Sequence, residues 1–401
     1  MNEKEKMQPK VRFREFTGEN APDWEQRKLG EVASVSMCKR IYKNQTLIEG
    51  DIPFYKIGTF GGTPDSFISR ELYEEYKSKY PYPNKGDILI SASGSIGRTV
   101  EFTGKDEYFQ DSNIVWLNHN ENILNIFLKY FYLIVKWDGI EGTTIKRLYN
   151  ENILKTEISF PSITEQERIG QFFEKLDKLI TLHQRKLEQL EQLKNTLLSK
   201  MFPKSGTNIP EIRFSGFTDA WKQRKLGNYL SIPQKEQVKN MNELKLMTVK
   251  LNLEGINLSA NRKTLEIGST NYYVRHAGQL IYGKQNFFNG SIAIVPIEAE
   301  GYSTSGDVPS FDVKNINRNF LYTFVSRKNY YKHKENVARG TGSKRIHEKD
   351  FLNFDICVPT TVEQDIIAAL FSNINTTIAI HQRKLEQLKN LKQTLLNKMF
   401  V

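Results

Sequence analysis

The chain repeats itself, and the repeat constrains the fold more than any other feature. Trp24-Glu25-Gln26-Arg27-Lys28-Leu29-Gly30 returns as Trp221-Lys222-Gln223-Arg224-Lys225-Leu226-Gly227. His183-Gln184-Arg185-Lys186-Leu187-Glu188-Gln189-Leu190 returns unchanged as His381-Gln382-Arg383-Lys384-Leu385-Glu386-Gln387-Leu388. The shift is 197 residues at the first motif and 198 at the second, so the register holds across half the molecule. Shorter matches fill the interval. Val11-Arg12-Phe13 pairs with Ile212-Arg213-Phe214, and Gly86-Asp87-Ile88-Leu89-Ile90 with Gly278-Gln279-Leu280-Ile281-Tyr282. Gly142-Thr143 and Lys146-Arg147 pair with Gly340-Thr341 and Lys344-Arg345; Pro161, Glu165 and Gln166 pair with Pro359, Glu363 and Gln364. Each half runs from an opening motif through a variable body to a proline and a long helix. Duplication on this scale builds two similar bodies related by a pseudo-twofold axis.

A length of 401 residues exceeds a single core and suits two domains with connecting elements. The expected order is a first body over 1–160, a first long helix over 161–202, a linker and second body over 203–358, and a second long helix over 359–401. The bodies read as mixed α/β. Segments 87–91, 113–117, 279–282 and 291–296 have the apolar runs of buried strands, and 123–137 and 317–331 read as amphipathic helices.

The repeated helices are clearer. Leu176, Ile180, His183, Leu187, Leu190, Leu197 and Met201 follow three/four spacing, as do Ile374, Ile378, His381, Leu385, Leu388, Leu395 and Met399. Charged and amide residues fill the other positions, the pattern of a two-helix coiled coil. Ser162 or Thr164 before Glu165, and Thr360 or Thr361 before Glu363, supply N-caps. A helix of roughly 38 residues spans about 57 Å. The linker from Pro203 to Pro210 reaches at most roughly 35 Å. The second body is therefore expected at the far end of the first helix, with the second helix returning antiparallel, as a dumbbell. His183 and His381 fall near the helix midpoints and are expected to meet near the axis as a polar layer of the seam.

Charge narrows the partner. Lys and Arg number 57 against 46 Asp and Glu, a formal charge of +11. That balance favours a polyanion, nucleic acid first and a membrane surface second. No apolar run approaches the roughly 18 residues of a spanning helix. The opening residues Met1-Asn2-Glu3-Lys4-Glu5-Lys6 lack the apolar stretch of a signal peptide, so a cytoplasmic location is expected. Cys38 and Cys357 provide neither a disulfide framework nor CxxC spacing for zinc, and no structural metal is expected.

Catalytic signals are poor. No GxxxxGK[ST] string encodes an ATP-driven motor, and no Gly-rich turn with an acidic ribose ligand marks a nucleotide cofactor. Gly94-Ser95-Ile96-Gly97 and Gly340-Thr341-Gly342-Ser343-Lys344 fit phosphate-cradling loops and ordinary turns about equally. Asp65 with Glu75 and Lys77 has the loose spacing of a metal-dependent nuclease site. That chemistry needs Glu-x-Lys on a strand, whereas residues 70–77 read as an amphipathic helix, and the second half lacks the string. No catalytic residue is assigned.

Nucleic-acid contact has more behind it. In the first body Lys39, Arg40 and Lys43 lie in a polar loop, and Ser91, Ser93, Ser95, Arg98, Gln110, Ser112, Asn113, Thr143, Thr144, Lys146 and Arg147 cluster at strand ends. The second body offers Lys284, Gln285, Asn286, Asn289, Ser291, Ser303, Thr304, Ser305, Asp307, Thr341, Ser343, Lys344 and Arg345. Cations neutralise phosphates, and Asn, Gln, Arg and Ser read base edges. A solvated loop surface is the bland alternative for any one of them. The Lys-Arg pairs at 146–147 and 344–345 stand out because both halves keep them amid divergent neighbours. A duplicated frame with two unlike sets of loops implies an asymmetric, bipartite target. A coiled-coil adaptor with no nucleic-acid role is the alternative of another class.

The set of motifs resembles the specificity subunits of type I restriction-modification systems. It comprises the opening Trp-x-Gln-Arg-Lys-Leu-Gly, the Gly-Asp-Ile-Leu-Ile-Ser strand, Pro-x-x-x-Glu-Gln before each helix and Gln-Arg-Lys-Leu-Glu-Gln-Leu within it. The resemblance implies two target recognition domains separated by an antiparallel coiled-coil spacer, and no catalysis in the chain itself. It implies double-stranded DNA as ligand, two methyltransferase subunits using S-adenosylmethionine for N6-adenine modification, and two ATP- and Mg-dependent motor/endonuclease subunits. No cofactor is implied for the chain itself. The family's motif positions fall on 86–97 and Lys146-Arg147, and on 278–291 and Lys344-Arg345. One departure is Lys284-Gln285-Asn286-Phe287-Phe288-Asn289, which stands where the first body has Ser91-Ala92-Ser93-Gly94.

Overall fold

The two opening motifs explain themselves once paired. A computed structural model describes residues 8–18, 21–137, 139, 147–240, 244–259, 270–340 and 344–401. The chain divides into two units, residues 1–184 with 383–401, and residues 185–382.

In the first unit Trp24 is buried, and Glu25–Lys28 forms an exposed strand antiparallel to Glu157–Phe160, the strand that feeds the first long helix. Leu29 is buried next, and Gly30 follows because the backbone of Leu154 lies where a β-carbon would sit, 3.1 Å away. The central sheet is antiparallel, in the order Ala33–Ser36, Ile114–His119, Ile88–Ser91, Thr99–Glu101. One face covers a core containing Trp24, Phe127, Phe131, Ile169 and Phe173. The other covers a second core under a three-stranded sheet, Phe67–Ile68, Ile52–Tyr55 and Tyr108–Phe109, and the helix Arg70–Lys79.

Two motifs read as helix caps do more than cap. Arg12 donates two hydrogen bonds of 2.7 Å to Glu165, whose side chain is fully buried. Gln166 accepts from the Leu124 backbone N–H (2.9 Å) and donates to the carbonyls of Asn122 (2.8 Å) and Pro161 (2.9 Å). The Pro-x-x-x-Glu-Gln string thus locks helix to body through a buried network in which Glu165 and Gln166 are engaged, while Arg12 Nη1 is buried without a partner among the described residues. The end of the second long helix completes this unit. Phe400 lies against Phe127 (5.0 Å between ring centres), Phe173 (6.1 Å) and Trp24 (6.2 Å). Earlier on the second helix, Lys392 meets Asp177, four residues beyond Phe173 on the first, so the two segments run antiparallel.

The second unit repeats the frame. Lys222–Lys225 pairs with Asp355–Val358, and the sheet order is Leu230–Ser231, Ser310–Val313, Leu280–Tyr282, Ile292–Ile294. Arg213 clamps Glu363 (2.7 and 2.8 Å), and Gln364 accepts from Asn317 N–H (3.0 Å) and donates to the Pro359 carbonyl (3.0 Å). Phe202, just past the first long helix, fills the core against Trp221, Phe320 and Phe371, each at 5.9 Å. The second layer differs: a short hairpin, Thr248–Val249 with Ile256–Asn257, and a separate antiparallel pair, Tyr272–Val274 with Ser303–Ser305, over a small core of Met247, Ile281, Ala293, Val295 and Ala299.

The long helices run Ile163–Lys200 and Thr361–Met399. Leu176, Leu187, Ile374, Ile378, Leu388 and Met399 are buried, and Ile180, His183, Leu190, Leu197, His381, Leu385 and Leu395 half-buried, as the spacing requires. Two shorter elements differ from expectation. The helix expected over 123–137 is Asn125–Phe131, closed by a turn before the β-branched pair Ile134-Val135. The one expected over 317–331 is split into Arg318–Val325 and Lys328–Tyr331. Arg327 breaks it in extended conformation, its guanidinium stacked on Phe324 (4.0 Å) and Phe202 (4.6 Å). Burial lowers the pKa of that guanidinium to about 10.

Candidate nucleic-acid interface

The same main-chain junction occurs once in each body, at the end of the central strand. In the first body Ala92 donates from its backbone N–H to the Asn113 carbonyl (2.8 Å) and accepts at its own carbonyl from Leu148 N–H (2.8 Å). In the second body Lys284 N–H donates to the Asp307 carbonyl and the Lys284 carbonyl accepts from Ile346 N–H, both at 2.9 Å. Arg147 and Arg345 immediately precede Leu148 and Ile346, the donors that close each junction. The frame equates Asn113 with Asp307 and Ala92 with Lys284, so unlike side chains hang on equal backbones.

Around the first junction the loop 94–97 is held open by two left-handed glycines, Gly94 (φ 67°) and Gly97 (φ 80°). Ser91 Oγ donates to the Ser95 carbonyl (2.5 Å) and accepts from Arg98 N–H (2.9 Å). Ser93 Oγ donates to Asn113 Oδ1 (2.7 Å), and Ser93 bridges to Arg147. Gln110 accepts from Ile57 N–H (2.8 Å). Arg40 pairs with Asp111 (2.8 Å), Lys39 lies over the Tyr80 ring (4.8 Å), and Lys43 is exposed. The structure therefore gathers Ser91, Ser93, Asn113 and Arg147 at one strand end, with Ser95 and Arg98 in the adjoining turn and the exposed Ser112 beside Asn113. Arg40 joins them through Asp111. Thr143, Thr144 and Lys146 lie outside the described residues.

Around the second junction Arg345 pairs with Asp307 (3.0 Å), Lys284 with Glu348 (3.1 Å), Lys344 with Glu335 (3.0 Å) and Arg339 with Asp350 (2.9 Å). Gln285 and Asn286 lie between the strand and the Phe287–Asn289 turn, whose last residue, Asn289, donates to Asn286 Oδ1 (3.2 Å). Thr341 and Ser343 lie outside the described residues. Charge pairing on this side was not legible: Glu348 is far along the chain from Lys284, and Glu335 and Asp350 lie nine and eleven residues from Lys344 and Arg339, outside helical spacing.

Burial turns five of the expected contact residues inward. Ser91, Ser93, Ser291, Ser303 and Thr304 are buried. Thr304 accepts from Arg275 Nε (2.7 Å) and donates to the Val308 carbonyl (2.8 Å), and Ser291 donates to the Val249 carbonyl (3.3 Å). Thr304 and Ser291 thus bond within the body instead of facing solvent, and the adjacent Ser303 and Thr304 are both buried, so this strand is covered on both faces. Ser305 remains half-exposed on the same strand. Arg275, pulled down to about 10 by desolvation, is the internal cation of this layer and also donates to Ser310 (3.0 Å).

The nuclease string does not assemble. Glu75 and Lys77 lie on the helix Arg70–Lys79, where Glu75 pairs with Lys79 (2.9 Å) and Lys77 donates to Tyr73 (2.7 Å). Asp65 pairs with Lys56 (2.8 Å). Among the described residues no group of His, Cys, Asp and Glu could hold a metal ion, and no helix is long and apolar enough to cross a membrane.

Residues 22–192 and 219–390 both match the model of the type I restriction modification DNA specificity domain. A putative type I restriction enzyme specificity subunit of Haemophilus influenzae is 60% identical over 152 residues, 38% of this chain. That match spans 40% of the relative's length. The putative MjaX specificity subunit of Methanocaldococcus jannaschii is 22% identical over 410 residues, covering 95% of this chain and 93% of the relative. The crystal structure of a type I restriction-modification S subunit from M. genitalium superposes with a TM-score of 0.61 at 16% identity, over 98% of this chain and 99% of the other, and shares the fold.

Proposed function

The chain belongs to the type I restriction-modification DNA specificity family, with two copies of its domain, and from that premise we propose that it is a non-catalytic reader of a bipartite, asymmetric DNA target. The observation that carries this reading is the duplicated junction: equal main chains present Asn113 and Arg147 in one body and Asp307 and Arg345 in the other. Equal frames with unlike side chains give two half-sites of different sequence.

In this proposal each body docks in a major groove, where cations position the protein on phosphates and a few side chains read base edges. The helix pair sets the half-site separation, bounded at about 17 base pairs by a roughly 57 Å rod at ~3.4 Å per pair. The subunit acts in the cytoplasm and directs methyltransferase and motor/endonuclease subunits to the site. Those partners, two of each, would use S-adenosylmethionine, ATP and Mg, and this chain binds no cofactor.

Mapping methylated adenines genome-wide in a host carrying this chain and its partner subunits tests the proposal. The expected result is one asymmetric bipartite motif; a palindrome, or no motif, overturns it. Inserting one helical turn between Leu187 and Leu198 should lengthen the unread spacer, and an unchanged spacer breaks the link between helix and separation. Cleavage of plasmid by the purified chain with Mg²⁺ alone would restore the nuclease alternative. DNA affinity should fall with salt at a log–log slope near about −0.9 per neutralised phosphate; a flat response favours the adaptor.

A further inference from the structure

Resting on that DNA-reading role, we propose that Asp307 is a positioning residue that orients Arg345 to read a guanine in the second half-site. The pseudo-equivalent Arg147 selects no base. The Arg345 side chain is pre-organised. The Arg345 backbone is held on both sides: its N–H donates to the Arg339 carbonyl (2.8 Å) and its carbonyl accepts from Arg339 N–H (2.9 Å). The next residue, Ile346, donates to the Lys284 carbonyl (2.9 Å), and the Asp307 carbonyl accepts from Lys284 N–H (2.9 Å). Both members of the pair therefore hang on Lys284, two residues past the central strand Leu280–Tyr282. The head is fixed too, with Nη1 donating to Asp307 Oδ1 at 3.0 Å.

The side chains of Arg345 and Asp307 are 38% and 52% exposed, within reach of a duplex. An ion pair that exposed adds little stability, so its main consequence is orientation. A guanidinium is a planar fork of donors that matches the O6 and N7 acceptors of guanine in the major groove. Fixing the fork before binding removes the entropy cost of immobilising a long side chain on contact. The neighbouring Lys284 and Lys344 are engaged by Glu348 and Glu335.

The first body supplies the contrast. Arg147 leaves the same position of the same frame, bridged to Ser93. Where the second body has the Asp307 carboxylate, this one has Asn113, whose Oδ1 already accepts from Ser93 Oγ (2.7 Å). A neutral amide engaged in that way does not orient a guanidinium, and Arg147 contacts phosphate without base preference.

The test selects a randomised duplex library with the full chain assembled with its partners, comparing wild type with D307N, D307E, R345K and R147K. Wild type should require guanine at one position of the second half-site. D307N and R345K should relax that requirement by about tenfold or more and leave the first half-site intact, which also certifies folding. D307E should retain part of it, and R147K should leave every base preference unchanged. Unaltered preference in both D307N and R345K, or a second half-site without guanine, overturns the inference while the DNA-reading role stands. A wild-type chain without any sequence preference overturns the reading role itself.

Discussion

The two bodies share one layer and differ in the other. The layer containing the opening motif, the central sheet and the helix plug is superimposable in pattern: Trp24 and Trp221, Phe127 and Phe320, Phe173 and Phe371, Phe400 and Phe202. Among the described residues the outer layer is three strands and a helix over twelve buried residues in the first body, and two two-stranded pairs over five in the second. A scaffold whose job is to hold helices must keep its contacts; a surface whose job is to differ must not.

The largest expected effect probes modularity. Replacing residues 212–358 by the corresponding body of another family member should change one half of the methylated motif and leave the other untouched. A change in both halves would mean that the shared layer transmits sequence preference.

Next come the two plugs. Phe202→Ala and Phe400→Ala should each cost about 3–5 kcal/mol in the stability of the unit they fill, measured by chemical denaturation. Equal costs support equivalence of the inner layers; a negligible cost at Phe400 would show that the end of the second helix contributes no packing.

A smaller test exploits a mismatch in the helix segments. In the first unit Lys392 has Asp177 as partner. The repeat places Lys194 and Asn375 at the matching positions of the second, and desolvation pulls the Lys194 pKa down. Asp177→Asn should destabilise the first unit by at most about 1 kcal/mol, and Asn375→Asp should stabilise the second by a similar amount. Destabilisation by Asn375→Asp would show that the helices are not matched at this level.

The smallest effect concerns pH. In the second body His276 Nδ1 lies 2.7 Å from Glu300 and its Nε2 3.1 Å from Glu236, and the hydrogen bond with Glu300, more than that with Glu236, raises its pKa. A value raised on folding gives stability that is complete below the ordinary histidine range and is lost as pH climbs through the raised value. His119 of the first body contacts the oxygens of Asn120 and Asn125. Stability of the second body alone should therefore decline slightly above neutrality, and His276→Gln should remove the decline. An identical pH profile in that variant would discount the pair.

The inner layer was legible because its letters repeat. Trp24 and Leu29 recur as Trp221 and Leu226, and the helix spacing announces its buried stripe. What the repeat did not disclose is why Glu165 and Gln166 recur: their partners, Arg12, Leu124, Asn122 and Pro161, are set by three-dimensional closure. Phe202 and Phe400 also recur, each directly after Lys-Met, yet a residue beyond a helix end shows no periodicity. The outer layer stayed opaque because strands of two to four residues, such as Phe67–Ile68 and Thr248–Val249, carry too short a pattern and owe their position to partners far along the chain. The contact surface was legible as residue types but not as orientation, since burial depends on what covers each strand: Ser303 and Thr304 are both buried, while Ser305 and Asp312 are half-exposed.

Because the hydrogen bonds of the junction run between peptide groups, its backbone does not depend on the letters at 113 and 307. A lineage carrying this frame can therefore rewrite what it recognises by point substitutions there, with no need for a new architecture.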